Sequence, residues 1–348
     1  MSKKKKVALI SLIVLLIGIG IFSHVANQIE GRSSLSKLVE IVLWAVRDDE
    51  SDIKKLQANL EASAAVSAKP YELPGSMLLN TQFKLGAYEG MQVVYANIET
   101  DDFMSFTAHQ PINKAEDRPI IIYLHGGSYI SQPTIAHWAF LDTIAIGTNA
   151  IIIAPIYPKA PTHQFSESYE RLIPLYLDLV AAYGAEQIHI MGDSAGGGLA
   201  LGLAQMLLND GLPQAANVIS ISPWLDLALE HPDIPNYQDL DPMLSQFKLQ
   251  IYGRAWAGET SLRDYRVSPL YGPLEGMAPL TIFVGTHEIF LPDTRDFRDL
   301  ALEAGVELNY FEYPLMNHIF PLYPIPEAKL AQEQIIAVIN GEDLPSEH

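Results

Sequence analysis

Ser194 stands in Gly192-Asp193-Ser194-Ala195-Gly196, a G-x-S-x-G pattern. An apolar run, Ile188 to Met191, precedes it, and a helical run, Leu199 to Leu208, follows. A strand, a turn too tight for side chains at its flanks and a helix would lift the Ser194 hydroxyl to the top of a sheet. A serine so presented attacks an acyl carbon when a neighbouring base takes its proton. The second chemical signal is His125-Gly126-Gly127-Ser128-Tyr129, directly after the apolar run Ile120 to Leu124. Glycines there let backbone N–H groups approach a substrate oxygen, which an oxyanion hole requires. The N–H of Ala195, next after the serine, would complete it.

Both turns need a rigid support, and the pattern around them supplies one. Short apolar, β-branched runs occur at Met91–Ile98, Pro119–Leu124, Ala150–Ala154, Gln187–Met191, Asn217–Ser222, Leu280–Gly285 and Leu308–Tyr313. Helical stretches separate most of them: Ser166–Tyr183, Gly198–Asp210, Thr294–Ala304 and Glu327–Asn340. This alternation predicts an α/β fold with a mainly parallel central sheet and helices on both faces. Trp224 to Val267 breaks the rhythm with polar residues, aromatics and prolines, and reads as a cap inserted at about 224–267. Its Tyr237, Phe247, Tyr252 and Trp256 either line an acyl pocket or form the cap's own core. Residues 28–75 read as helices that contribute to the cap, with Leu35, Leu38, Val39, Val42, Leu43 and Val46 at helical spacing. The main domain then spans 76–348.

The two motifs together are similar to those of the hormone-sensitive-lipase-like branch of the α/β-hydrolases, which pairs an HGGG loop with GDSAGG. The resemblance runs from about residue 118 to 325. Tyr157 to Phe165 is similar to the family's YRLAPEHPF segment, and Ser222-Pro223-Trp224-Leu225-Asp226-Leu227 and Ser268-Pro269-Leu270 also fit. The resemblance implies an α/β-hydrolase fold with a helical cap. It implies Ser194 as nucleophile and the N–H groups of Gly127, Ser128 and Ala195 as oxyanion donors. His125, Gly126, Gly192, Asp193 and Gly196 support the two turns. Ser128 departs from the usual glycine.

The family order, serine then acid then histidine, directs the rest of the search. His231, His287, His318 and His348 follow Ser194. His231 lies in the cap and His348 is the last residue. His318, in Pro314 to Phe320, resembles the family's loop around the catalytic base. Two acids follow the strand Leu280–Gly285, Glu288 and Asp293. An ungapped match to the family's DPLRD-like segment favours Glu288 and leaves Asp293 as the fallback. His287-Glu288 is no zinc motif, because the fourth position on is Leu291. No metal or other cofactor is expected.

The implied function is a serine carboxylic ester hydrolase acting on short- to medium-chain acyl esters through an acyl-enzyme. The same triad would serve amide or lactone hydrolysis, or acyl transfer. A non-catalytic surface binding module on the same scaffold is a further alternative. Family members often dimerise, so a homodimer is possible in kind.

Composition excludes several other classes. The chain has 348 residues, 41 acidic against 22 basic, for a net charge of −19. So acidic a chain repels phosphate backbones, so nucleic acid is not an expected partner. There is no cysteine, which excludes disulfides, thiolate metal sites and a Cys nucleophile. Residues 1–6 hold four lysines, and Val7 to Phe22 carries no charge. With the residues up to 27 this gives a stretch near the ~20 residues that cross a bilayer. The lysines should stay cytoplasmic, placing the rest outside. A cleaved signal peptide would instead release the protein, but His24 is a poor −3 residue before Ala26. An uncleaved membrane anchor over 7–27 is the favoured reading.

Overall fold

The computed structural model describes residues 18–47, 52–75, 78–110 and 117–345. Its centre is one eight-stranded sheet in the order β1-β2-β4-β3-β5-β6-β7-β8. The strands are β1 (Lys84–Tyr88), β2 (Met91–Ala96), β3 (Ile120–Leu124), β4 (Ile151–Pro155), β5 (Ile188–Asp193), β6 (Asn217–Ile221), β7 (Leu280–His287) and β8 (Leu308–Asn317). β1 and β2 run antiparallel, as do β2 and β4, and every other pairing is parallel.

The inner strands are apolar on both sides because helices cover both sides. In β3, Ile120, Ile122 and Leu124 enter one core, and Ile121 and Tyr123 the other. The first core is covered by α3 (Thr100–Thr107), α5 (Phe165–Tyr183), α6 (Ala195–Asn209) and α9 (Leu291–Glu303). The second is covered by α4 (Ile135–Thr148) and α10 (Pro326–Asn340). Residues 224–267 hold two further helices, α7 (Ile234–Gln238) and α8 (Gln246–Ala257), between β6 and β7.

β1 is the one strand that sequence periodicity does not predict. It is short and half exposed, with Gly86 at its centre and no β-branched residue. It exists because the Glu89-Gly90 turn, with φ of 44° and 81°, folds it back on β2. The Gly86 position is also filled by a neighbour, since a Cβ there would lie 2.4 Å from the Phe103 ring.

Ahead of the sheet lie α1 (Ser34–Val46) and α2 (Ile53–Ser67), where helices were expected. The apolar positions Leu35, Leu38, Val42 and Val46 of α1 face outward, while Ser36 and Glu40 are buried. The predicted basic tail, and residues 7–17 of the predicted anchor, lie outside the described residues. Residues 18–24 are helical and run into a π-helical turn, Val25–Glu30, that Gly31 ends at φ 71°. Among the described residues no helix is long and apolar enough to cross a membrane.

Candidate active site

The sharp turn between β5 and α6 carries Ser194 at φ 54°, ψ −123°, a conformation that non-glycine residues rarely adopt. The flanking glycines make the turn possible. A Cβ on Gly196 would sit 1.9 Å from the Leu124 carbonyl oxygen, and one on Gly192 2.3 Å from the Gly196 oxygen. The turn is fixed by the Ser194 N–H, which donates to Ile221 O at 2.8 Å, and by Trp224 N–H, which donates to Ser194 O at 3.1 Å.

His318 Nε2 lies 2.8 Å from Ser194 Oγ, and His318 Nδ1 lies 2.6 Å from Glu288 Oε2. All three residues are buried. Glu288 Oε1 accepts from Ser222 Oγ at 2.8 Å and from the Gly285 N–H at 2.7 Å. Its carboxylate is therefore held on both oxygens. Asp293, the alternative acid, makes no bond to His318. It sits buried in the first turn of α9 with Oδ2 unpaired. Burial, with Asp226 and Asp296 adding repulsion, pushes its carboxyl up to about 8.

The other histidines are elsewhere. His287 Nδ1 is 2.7 Å from Glu40 Oε1 on α1, and His231 Nε2 is 3.4 Å from Asp296. His348 lies outside the described residues.

Three successive residues, Gly127, Ser128 and Tyr129, have φ of 120°, 55° and 63°. That left-handed run turns neighbouring N–H groups to one side, a concavity suited to an anion. Ala195 begins α6, so its N–H has no acceptor within the helix. Tyr129 anchors the loop from below. Its ring stacks on Trp256 of α8 at 4.4 Å and 3°, and on Trp224 at 5.6 Å.

Asp193 joins this loop to the serine turn. Its Oδ1 accepts from Gly126 N–H at 2.9 Å and from the Tyr123 hydroxyl at 2.5 Å. Burial opposes its charge, but His137, the hydroxyl and the N–H outweigh burial and hold the carboxyl below its usual range. His125 makes no contact with Ser194. Its ring stacks on Tyr157 at 4.7 Å, and burial, helped by Lys159 and His137, drives its pKa well down, so it is neutral.

Two supporting residues carry no sequence signal of their own. Ser222 bridges Glu288 and the His318 loop, because its Oγ also accepts the Ile319 N–H at 3.0 Å. It falls in the Ser222-Pro223-Trp224 segment that resembles the family, but resemblance alone assigns it no bond. Asp241, from the cap, is fully buried. Its Oδ2 accepts the Ile289 N–H at 2.9 Å, and its Oδ1 accepts the N–H groups of Met243 and Leu244. Burial pushes it up to about 6, against the pull of His318 and those three donors. It ties the cap to the loop that presents Glu288.

A cleft of about 490 Å³ opens onto Gly127 and Ser128. Asn59, Ser63 and Val66 of α2 wall one side, and Lys248 and Tyr252 of α8 the other. The cap aromatics therefore divide. Tyr252 lines the cleft, Trp256 is cap core, Phe247 is 40% exposed and Tyr237 accepts from Arg295 at 3.1 Å. Among the described residues no cluster of three or more His, Asp or Glu is arranged to hold a metal ion.

A family profile described as the α/β-hydrolase fold matches residues 121–322. An acetyl-hydrolase of Streptomyces hygroscopicus is 31% identical over 235 residues, covering 66% of this chain and 79% of the relative. An esterase of Acinetobacter venetianus is 32% identical over 235 residues, covering 66% and 78%. A crystal structure of a candidate esterase from Staphylococcus aureus superposes with a TM-score of 0.77 at 29% identity, covering 85% of this chain and 96% of that one.

Proposed function

We propose a mechanism on one premise: the chain belongs to the α/β-hydrolase fold family, as a carboxylic ester hydrolase of its hormone-sensitive-lipase-like branch. Ser194 is the nucleophile, His318 the base and Glu288 the acid that orients it. Ser194 Oγ attacks the ester carbonyl carbon as its proton passes to His318 Nε2. Glu288 keeps Nδ1 protonated and stabilises the imidazolium that forms. The carbonyl oxygen becomes an oxyanion facing the N–H groups of Gly127, Ser128 and Ala195. The tetrahedral adduct collapses, the C–O bond to the alcohol breaks and His318 protonates the leaving oxygen. Water then attacks the acyl-enzyme, with His318 again taking the proton. The acid leaves and Ser194 is restored.

The observation that supports this most directly is the relay of 2.8 Å and 2.6 Å through His318. Short- to medium-chain acyl groups suit the cleft of about 490 Å³ beside the oxyanion loop. The test is hydrolysis of a p-nitrophenyl ester series by the native chain, Ser194→Ala, Glu288→Ala and Asp293→Ala. Ser194→Ala should lose on the order of 10⁶ in kcat and Glu288→Ala roughly 10⁴, by analogy with other triads. Asp293→Ala should keep most activity. Equal losses in the Glu288 and Asp293 variants would remove Glu288 from the triad.

We also propose that the segment 7–27 anchors the chain in a membrane, with the hydrolase domain on the extracytoplasmic side. The uncharged run Val7–Phe22 after four lysines supports this. Retention in the membrane pellet after alkaline carbonate washing checks the anchor. Release into the supernatant would refute it.

A further inference from the structure

The helix α1 docks through Val39 and polar residues and leaves most of its apolar side chains exposed. Ser36 and Glu40 point into the protein, and Leu35, Leu38, Ile41, Val42 and Val46 are 43% to 70% exposed. At 100° per residue these five residues share one side of the helix, with Ala45 among them and no charge between them. A contiguous apolar face of this kind on a soluble domain marks an interaction surface.

The inward face explains why α1 sits so. Glu40 takes the Arg32 guanidinium and lies 2.7 Å from His287, the residue before Glu288. Arg32 also donates to Leu315 O at 3.3 Å, three residues before His318. At the other end Arg47 donates to Asp241 O at 2.9 Å in the cap. The helix is therefore strapped across the catalytic ends of β7 and β8 and onto the cap. Its apolar face looks away from the same edge that carries the acid and the base.

The chain itself points to what covers that face. α1 begins twelve residues after the uncharged run ends at Phe22. The residues between are mostly helical, at ~1.5 Å each, so α1 starts within roughly 20 Å of the end of that run. A bilayer holding residues 7–22 thus lies within reach of the stripe. A second copy of the chain is the poorer occupant, because two bodies of net charge −19 repel.

We infer that the outer face of α1 lies in the lipid interface and turns the catalytic edge toward the bilayer, so that the substrates are apolar esters dissolved in the membrane. This rests on the proposed anchor and esterase reading. Trp44, on α1, provides the probe. It is 38% exposed, while Trp138, Trp224 and Trp256 are buried. The full chain is placed in phosphatidylcholine vesicles with and without brominated acyl chains. Brominated lipid should quench Trp44, and Trp44→Phe should remove the quenchable fraction. Leu38→Glu with Val42→Glu should abolish quenching and cut hydrolysis of vesicle-borne diacylglycerol by about tenfold or more. The same variant should hydrolyse water-soluble p-nitrophenyl acetate like the native chain. No quenching of the native chain, or undiminished diacylglycerol hydrolysis by the variant, would overturn the inference. So would cross-linking of two chains through α1 with Trp44 shielded from lipid. Failure to cleave p-nitrophenyl acetate at all would instead strike the esterase reading, and the quenching would still report where α1 lies.

Discussion

Ser222 and Asp293 are two polar residues near the acid strand with opposite roles. Ser222 donates to Glu288 and accepts from the Ile319 N–H, so it fixes both Glu288 and the loop that carries His318. Ser222→Ala would leave a buried carboxylate one donor short and a buried N–H unpaired. Hydrogen bonds to charged groups are worth about 1.5–3 kcal/mol, so kcat should fall about 10- to 100-fold with little change in KM. Steady-state kinetics on one ester reads both numbers. Asp293 is the reverse case, a buried carboxyl with an unpaired oxygen. Its folded-state value of about 8 lies above the unfolded 3.8. The folded chain then holds a proton that the unfolded chain has lost. The resulting stability is fully present below 3.8 and drains away as pH rises through about 8. Asp293→Asn mimics the protonated form at every pH. Its Tm should match the native Tm near pH 4 and exceed it by a few degrees at pH 8, measured by calorimetry across that range. Activity should be nearly unchanged.

The elements differ in how far they are legible. The β5 turn is readable because its chemistry demands a rare pattern: two glycines that touch the backbone of Leu124 and Gly196 around a serine in a strained conformation. The strands β3 to β7 are readable because burial on both faces leaves short runs rich in apolar, β-branched residues. β1 is not, because an edge strand closed by Glu89-Gly90 needs neither alternation nor bulk. The orientation of α1 is not readable either. Its apolar spacing predicts a helix but not which side docks, because Arg32, Glu40 and His287 decide the docking through residues far apart in sequence. Ser222 and Asp241 escape for the same reason: their partners Glu288 and Ile289 lie 66 and 48 positions away. The docking of α1 can be tested at this scale. Glu40→Ala leaves the buried Arg32 guanidinium with Glu30 alone and His287 Nδ1 without its carboxylate, a loss of about 1–3 kcal/mol. Ser33 remains bonded to Glu327 and Arg47 to the cap at the two ends of α1, so the loss should appear as loosening of the middle of the helix. Hydrogen exchange should speed up across residues 32–46 while β3 to β6 keep their protection. Uniformly faster exchange in the whole sheet would show that α1 is instead integral to the core.

At the scale of the whole molecule the dominant fact is charge. The chain carries a net −19, while the groups proposed to meet the substrate are backbone N–H donors, one hydroxyl and one imidazole. Lys248 at the cleft wall is a single local exception. Electrostatic repulsion from the body therefore acts on any anionic ester during approach, before the neutral site can select it. At 0.01 M salt the Debye length is about 30 Å and the whole body contributes, whereas at 0.15 M it is about 8 Å and only nearby groups do. Repulsion of this kind is a rate effect on encounter, so it belongs to kcat/KM and leaves kcat alone. The prediction compares p-nitrophenyl acetate with p-nitrophenyl hydrogen succinate, whose free carboxylate is ionised at pH 7. Raising salt from 0.01 to 0.15 M should increase kcat/KM severalfold for the succinate and leave the acetate flat. If both esters respond alike, the salt acts on the fold or on the cap. If neither responds, Lys248 and the oxyanion N–H groups set the local field, and the acidic surface governs only solubility and self-repulsion.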